Sequence, residues 1–598
     1  MNKKLFKACN QEQGFASHLS VFLILSLFTA INFSPYLIFY EKLPSSDWDY
    51  FNGLSYIIDL AIFKYHTFPL HDPYTCGGVD ILANPQSYIF SPLILFNFIF
   101  SPYWGNVFSL MFCAILGGFG MIKLLNLFAV ERKLSIIGAL IFLSCNWFGM
   151  HFLEGHIAFR SMQLIPWAIY LIFCLEKNIK YWIYFSLLMA FFLLDGGIYS
   201  FNFCLLFLII ALILRNPSLK KLIRIACQNP KITLLILLAF TMLIIPKALP
   251  LLLLHNKRLP ELHFYAYSFN DVFLAFLYPL NLLQDQKITD GFEKNWRMHE
   301  YVCYVGIFSI IVFFLSQKWH QWQWSKWRAQ KSFALNSDKT LLAFLLISLW
   351  IGIGFGELFN PWTIFMFTPF LNNSHVQSRF LIFFFIFFTI LLVRALAALK
   401  NRYFFATLIL LELTFVRIYP AFIELRKMPQ ADYYNELRDL KKHNITETVH
   451  FLPKPQIYFS AGKSSHLCYD RAQNISPNIA AISDKNYLGE FYSLSGAKGL
   501  ELQEYSADKI SAIYSGRAGE TFIFNTNYLL GWQGENEKDY EIKSINGLMA
   551  VTFNKSPVEF TAKYRSKYLK YILLSFLFAI FIYAALLVTL KKYAKNTV

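Results

Sequence analysis

Long apolar runs alternate with short polar connections along most of the chain, a pattern that predicts membrane-spanning helices. A helix needs roughly 20 predominantly apolar residues to cross the hydrocarbon core of a bilayer. With the weaker run 163–176 included, the sequence predicts twelve spans: 19–40, 107–128, 134–152, 163–176, 181–195, 198–214, 232–254, 302–317, 340–357, 378–398, 403–423 and 567–590. The first span follows a group of lysines and is interpreted as a retained signal anchor.

Basic residues collect in the connections on one side of these predicted spans. They stand at Arg132-Lys133, Lys177 with Lys180, Arg215 to Lys231, Lys318 to Lys339, Lys400 with Arg402, and Lys591-Lys592. Short basic loops stay on the cytoplasmic side of a membrane. Both termini are therefore predicted in the cytoplasm, and loops 41–106 and 255–301 outside it. The run 88–101 contains Pro92 and would reverse every later loop if it crossed, so we interpret it as a re-entrant or interfacial helix.

Segment 424–566 has a different character, with many charged residues and short apolar runs between Gly and Asn turns. Examples of these runs are Thr521 to Phe524 and Met549 to Phe553. This pattern indicates a small α+β or β-rich domain. We divide the chain into a multi-span part (1–423), an extracytoplasmic domain (424–566), and a final helix with a cytoplasmic tail (567–598).

Composition supports a protein of the cytoplasmic (inner) membrane. Of the 598 residues, 56% are hydrophobic and 15% are charged, which is not typical of a soluble enzyme. The net charge of +17 follows membrane topology rather than a basic face for nucleic acid. The nine cysteines form no CxxC pair and no Cys/His cluster, so no metal ligand is assigned and no structural zinc is predicted. No organic cofactor is expected, and the participation of a divalent metal is left open.

Carboxylates in the first external loop are candidates for chemistry, since ionisable groups at a membrane surface are costly to bury without a purpose. Asp47 and Asp49 flank Trp48 just after the first span, and either carboxylate could face a cavity. The same loop carries three further polar candidates, Asp72, Asn84 and Gln86. A solvated loop with an aromatic belt explains these residues equally well.

Three shorter motifs stand at the same side of the predicted membrane. Glu154, His156 and Arg160 lie in a tight connection, His299 and Glu300 end the loop 255–301, and Arg379 begins the tenth span. An acid and an imidazole at a span end can form a site, and an arginine can hold a lipid phosphate through two parallel hydrogen bonds. A polar helix cap, an interface anchor and a snorkelling arginine are the structural alternatives.

Taken in order, these motifs resemble the YfhO-like bacterial membrane proteins, and more broadly the GT-C superfamily of lipid-linked-sugar glycosyltransferases. The similarity covers nearly the whole chain. It rests on Asp47-Trp48-Asp49, the His71-Asp72-Pro73-Tyr74 to Gly77-Gly78 turn, Ala83-Asn84-Pro85-Gln86, Glu154-Gly155-His156, His299-Glu300-Tyr301, Ser378-Arg379-Phe380, Asn525 to Trp532, Asn546-Gly547-Leu548 and Val558-Glu559-Phe560.

The resemblance implies a GT-C-like membrane enzyme that transfers a sugar from a polyprenyl-phosphate carrier to an extracytoplasmic glycan, lipid or protein. Membrane lipids are then further partners, and nucleic acid is not. Catalytic roles fall to Asp49, Asp47, Glu154 and Glu300, with Asp49 preferred as the base because aromatic residues follow it. Substrate binding is expected from His156, Arg160, His299, Arg379, Asp72, Asn84 and Gln86.

Two other classes of protein fit the same pattern of spans. A lipid or glycan transporter would also have about twelve, but transporters commonly show inverted repeats and helices broken at the midplane. A non-catalytic scaffold would use the external domain to bind a partner, and twelve spans are more than such an anchor needs. The sequence favours the glycosyltransferase over either alternative.

Overall fold

The structure is a computed structural model, and it describes residues 15–40, 42, 46–215, 217–254, 267, 269–279, 298–316, 338–354, 359–366, 376–428, 447–449, 463–465 and 476–595. The described part of the membrane region is helical. Its α-helices are α1 (Phe15–Asn32), α2 (Ser34–Ile38), α3 (Ser46–Asp59), α4 (Ile94–Ile99), α5 (Pro102–Leu127), α6 (Arg132–Leu143), α7 (Asn146–Leu153), α8 (Ile165–Cys174), α9 (Lys180–Leu194), α10 (Ile198–Leu214), α11 (Pro217–Gln228), α12 (Pro230–Leu254), α13 (Phe269–Leu277), α14 (Ile307–Leu315), α15 (Asp338–Ile353), α16 (Pro361–Met366), α17 (Leu381–Ala397), α18 (Arg402–Lys427) and α19 (Leu569–Lys595).

A helix lies within each of the twelve predicted spans, and the chain is a multi-pass membrane protein. Among the described residues, seven helices are long and apolar enough to cross a membrane, and α10 with α11 makes an eighth across a bend of 108°. Three shorter apolar helices lie at His18–Asn32, Lys180–Leu194 and Lys339–Ile353. The full count of twelve crossings stays a prediction. Within the run 88–101, the helix Ile94–Ile99 has six residues and is too short to cross.

The domain before the last helix is a β-sandwich. Its eight main strands are β5 (Phe491–Ser493), β6 (Leu500–Tyr505), β7 (Lys509–Tyr514), β8 (Thr521–Asn527), β9 (Trp532–Gly534), β10 (Tyr540–Ile545), β11 (Leu548–Phe553) and β12 (Val558–Tyr564). They form two antiparallel sheets with the orders β10-β11-β8-β5 and β6-β7-β12-β9. Aromatic rings fill the space between the sheets, as when Tyr514 stacks on Phe553 at 4.3 Å between centroids. A two-stranded parallel sheet, β3 (Glu447–Val449) and β4 (Lys463–Ser465), precedes the sandwich.

A hairpin from the first loop docks on this sandwich. Strands β1 (His71–Asp72) and β2 (Val79–Asp80) are antiparallel, and the turn between them lies against the end of β8. The side-chain amide of Asn527 donates to the carbonyls of Cys76 and Gly78, at 2.7 and 2.8 Å. At the hairpin's end, the hydroxyl of Tyr564 donates to Asp80 at 2.7 Å. The domain is thus attached to the membrane part by buried polar contacts as well as by the chain itself.

The alternation of spans places several connections at one end of the bundle. The chain runs down α5, back through α6 and α7, down α8, and returns through α9, so residues 154–156 and 195–197 lie at the end where the first loop begins. The starts of α10 and α17 and the end of α18 face the same way. The β-sandwich, which follows α18, lies at that end too. We call it the domain end of the bundle.

Candidate functional site

A tight turn between α7 and a 3-10 helix (Ile157–Leu164) forms the first wall of the site. Gly155 has φ +91°, a left-handed conformation that glycine adopts without strain. A Cβ at this position would lie 2.3 Å from the backbone nitrogen of Trp48, so the turn packs directly against the start of α3. The indole N–H of Trp48 in turn donates to the carbonyl of Phe152 at 2.7 Å. These contacts bring Asp47 and His156 together although 109 residues separate them in the sequence.

Three histidines and one glutamate converge beside this turn, and we call them the His–Glu cluster: His151, His156, His299 and Glu300. One potential ligand atom from each lies within 4.8 Å of the others. The two rings that flank the turn face each other, with 2.8 Å between their Nδ1 atoms. A 3-10 turn, Met298–Glu300, supplies the other two side chains.

Glu300 is the most enclosed acid of the cluster and forms an ion pair with Arg379. The Nε of Arg379 donates to Oε2 of Glu300 at 2.8 Å, and its Nη2 donates to Oε1. The guanidinium also lies over two aromatic rings, those of Tyr199 and Phe159, at 4.5 and 4.8 Å from their centroids. Burial raises the pKa of Glu300, but the charge and hydrogen bonds of Arg379, together with smaller contributions from His151 and His299, outweigh that effect and hold the pKa well below its usual range.

Asp47 reaches the cluster through His156. Its carboxylate lies 3.1 Å from Nε2 of His156, while Glu154 lies 3.9 Å from Nδ1 of His299. Burial lowers the pKa of His156, although the hydrogen bond with Asp47 acts in the opposite direction. The side chains of Asp47 and Glu154 are 16% and 25% exposed, against 1% for Glu300. The cluster therefore opens to its surroundings on the side of Asp47 and Glu154.

Asp47 and Asp49 take different positions around helix α3. Residues two positions apart in an α-helix are about 200° apart around its axis, so the two side chains leave the helix in different directions. Asp47 contacts His156, and the side chain of Asp49 is buried. Which of the two acids is the base stays a prediction. The sequence motif alone could not separate them, because helix α3 was not predicted within the loop 41–106.

Arg160 binds a partner away from the cluster. Its guanidinium donates to both carboxylate oxygens of Asp195, with a shortest distance of 2.7 Å, and also to the hydroxyl of Ser109. Both charged side chains are almost fully buried, so this pair joins α5, the 3-10 helix and the end of α9. A substrate-binding role for Arg160 stays a prediction, and the structure shows a helix-joining contact instead.

The other three candidates from the first loop also lie outside the cluster. Asp72 accepts hydrogen bonds from the backbone N–H of Tyr74 and the hydroxyl of Thr75, which shapes the docked hairpin. Asn84 donates to the hydroxyl of Tyr50, and the backbone of Gln86 donates back to Asn84. Their contribution to substrate binding stays a prediction.

His151 is a member of the cluster that the sequence analysis did not single out. It lies fully buried in the span Arg132–Leu153, with its ring 4.0 Å from that of Trp147. A signal was present, because an ionisable residue within a membrane span is by default a candidate for function. Only the fold shows that the 153–157 turn folds this ring back onto His156.

Comparisons with known proteins assign no family to this chain. It matches no protein-family model, and no curated protein matches it significantly. Among solved structures, it is similar to the cryo-electron microscopy structure of the arabinofuranosyltransferase AftD from mycobacteria. The two share 13% sequence identity with a TM-score of 0.42, over 74% of this chain and 30% of AftD, so this chain spans less than a third of that protein's length. A likeness at this level says nothing about activity or substrate.

Proposed function

We propose that this chain is a membrane glycosyltransferase of the GT-C type. It transfers a sugar from a polyprenyl-phosphate carrier to a glycan, lipid or protein acceptor outside the cytoplasm. One observation supports the proposal most: acid, imidazole and guanidinium groups from four separate segments meet at the domain end of the spans. The phosphate of a membrane-embedded carrier lies at the bilayer surface, so a site at one end of the spans suits such a donor.

The exposed edge of the cluster suits an acceptor hydroxyl. As the acceptor oxygen bonds to the anomeric carbon, Asp47 takes the hydroxyl proton, directly or through His156, which it contacts at 3.1 Å. The bond between the anomeric carbon and the phosphate oxygen breaks at the same time, and the polyprenyl phosphate leaves as an anion. Glu154 is placed to orient the acceptor because it lies at the same open edge.

The opposite side of the cluster suits the leaving phosphate. Arg379 is held by Glu300 and by two aromatic rings, so its charge is fixed in position before a donor arrives. A guanidinium carries a permanent positive charge in a planar fork of N–H donors, which matches the geometry of phosphate oxygens. His299, next to Glu300, can donate as well. Fixed donors of this kind stabilise negative charge that develops during the reaction.

Mass spectrometry of cell envelopes tests this function. We expect cells that lack the gene to accumulate one polyprenyl-phosphate sugar and to lose the matching glycan modification. The wild-type gene should restore both, and a gene carrying Asp47→Asn should restore neither while the protein is still produced. Identical lipid-linked sugars and envelope glycans with and without the gene would contradict the proposal.

A further inference from the structure

The His–Glu cluster has the composition of a transition-metal site. Imidazole nitrogens and a carboxylate oxygen are ligands that zinc binds in proteins, at about 2.0–2.2 Å. The four residues lie in two short segments, the end of α7 with the turn after it and the 3-10 turn 298–300, and all but His156 are buried. The sequence assigned no metal ligand, because the paired histidines become neighbours only in the fold.

Distances within the cluster are close to those of a tetrahedral site. Ligand atoms about 2.0 Å from a tetrahedral metal ion lie about 3.3 Å from each other. The facing Nδ1 atoms of His151 and His156 are 2.8 Å apart. Nε2 of His299 and Oε1 of Glu300 are 3.4 Å apart. One ligand atom from each of the four residues lies within 4.8 Å of the others.

His156 carries a carboxylate on the ring nitrogen that faces away from its neighbouring ligand. Asp47 lies 3.1 Å from Nε2 of His156, whose Nδ1 faces His151. Glu154 lies on the corresponding side of His299, 3.9 Å from its Nδ1, while Nε2 of His299 faces Glu300. Metal-binding histidines usually donate their second N–H to a carboxylate, which fixes the tautomer and the ring orientation. The outer carboxylate that a metal-bound His156 needs is thus in place.

The same contacts favour a cation between His151 and His156. If His156 donates from Nε2 to Asp47, its Nδ1 carries a lone pair that faces Nδ1 of His151 at 2.8 Å. The other ring nitrogen of His151, Nε2, is buried, has no hydrogen-bond partner among the described residues, and faces Oε2 of Glu300 at 3.9 Å. With the N–H of His151 on this nitrogen, toward the carboxylate, both Nδ1 atoms offer lone pairs to one ion.

The charged groups around the cluster favour a cation. Among the described residues, the carboxylates of Asp47, Glu154 and Glu300 lie in or beside the cluster, and the guanidinium of Arg379 pairs with one of them. With the imidazoles neutral, as metal binding requires, a divalent ion offsets the negative charge of these carboxylates.

We infer that His151, His156, His299 and Glu300 bind one zinc ion at the domain end of the spans. Arg379 stays on Glu300, since a carboxylate has about four lone-pair sites and Arg379 uses two. The ion lies between the Asp47 edge and Arg379, where it can hold an oxygen of the leaving phosphate. That last role rests on the proposed function, whereas zinc binding itself does not.

The test measures metal binding without reference to activity. The full-length chain is purified in detergent, stripped with a chelator, incubated with zinc and analysed for bound metal by mass spectrometry. We expect about one zinc per chain, and a loss of affinity of at least about tenfold in His151→Ala and in His299→Ala. Asp47→Asn should weaken binding by about 10- to 100-fold through the outer contact. His18→Ala, which removes an exposed imidazole from α1, is the matched control and should bind as the wild type does.

A second readout uses the wild-type chain alone, so it does not depend on the folding of any variant. Cobalt(II) in place of zinc should give the intense visible absorption of a tetrahedral site with nitrogen ligands. A stripped wild-type chain that takes up no zinc, or that gives only the weak spectrum of hydrated cobalt, overturns the inference. Sugar transfer by metal-free protein would refute the metal's role in catalysis and leave the proposed function intact. Zinc binding by a chain that transfers no sugar would support the metal site and contradict the proposed function.

Discussion

At the scale of single residues, the site depends on backbone positions as much as on ionisable side chains. Asp47 and His156 meet because the turn at Gly155 lets the start of α3 approach α7. Glu300 forms an ion pair with Arg379, and two aromatic rings pack against the guanidinium of Arg379. Each pair joins residues that are distant in the sequence, and none of these pairings follows from local periodicity. The motifs mark candidate residues, and packing decides their partners.

Gly155→Ala tests the close approach of α3 and α7. The new Cβ would lie 2.3 Å from the Trp48 nitrogen and 2.7 Å from the Asp47 carbonyl carbon, so the backbones must separate. We expect a loss of stability of about 3 kcal/mol or more, from the clash added to the cost of the left-handed conformation. Thermal unfolding of the detergent-purified protein measures it.

Gly519→Ala is the control for this change. Gly519 has φ +90°, nearly the same conformation, but a Cβ there meets nothing within 4 Å. Gly519→Ala should lower the free energy of unfolding only by the cost of the left-handed conformation, about 1 kcal/mol. Equal destabilisation by the two substitutions would mean that the contact with α3 contributes nothing.

At the scale of secondary-structure elements, hydropathy predicted a helix in every span that the structure has, because the bilayer requires each segment to satisfy its own backbone. It did not predict α3, which lies within the loop 41–106 and carries Asp47, nor the docked hairpin. These elements are shaped by contacts with distant segments, so their sequences carry only weak local signals. Without α3, the sequence preferred Asp49 to Asp47 only because aromatic residues follow it.

The docked hairpin should release if its main polar contact is removed. The side-chain amide of Asn527 is buried and donates to two hairpin carbonyls. Its side-chain oxygen accepts a hydrogen bond from the backbone N–H of Ser476 at 2.9 Å. In Asn527→Ala, several buried backbone groups lose their partners, at about 1–3 kcal/mol each. Hydrogen-exchange mass spectrometry should show faster exchange across residues 71–80. The exposed Asn554 is the control, and Asn554→Ala should leave the exchange of residues 71–80 unchanged. Unaltered protection of these residues in Asn527→Ala would contradict the docking.

At the scale of the whole molecule, the structure separates two ends of the bundle. The β-sandwich and the His–Glu cluster lie at the domain end, and the amphipathic helix α11 connects α10 and α12 at the other end. We predict that the domain end faces outward, since the basic connections then face the cytoplasm. A transporter would need a path between the ends, whereas the His–Glu cluster and the charged groups in contact with it lie at the domain end.

Cysteine labelling tests this orientation with a native residue. Cys227 on α11 is the one exposed cysteine among those that the structure describes. After Cys9 and Cys468 are changed to serine, a membrane-impermeant maleimide should not label Cys227 in intact spheroplasts but should label it after permeabilisation. An added cysteine at the exposed Ser495 of the sandwich should be labelled without permeabilisation. Labelling of Cys227 in intact spheroplasts, with none at position 495, would reverse the topology.

The central claim is that Asp47 is the acid that takes the acceptor proton in a sugar transfer. The most direct measurement is the transfer rate in proteoliposomes, with the lipid-linked sugar that accumulates in cells lacking the gene as donor. Asp47→Asn keeps the size of the side chain and removes the base. With zinc in excess, which offsets the weaker metal binding expected of this variant, we predict a rate lower by about 10²-fold or more with donor binding retained. Asp49→Asn, which leaves the contact between Asp47 and His156 in place, should lose much less. Transfer by Asp47→Asn at the wild-type rate would contradict the account.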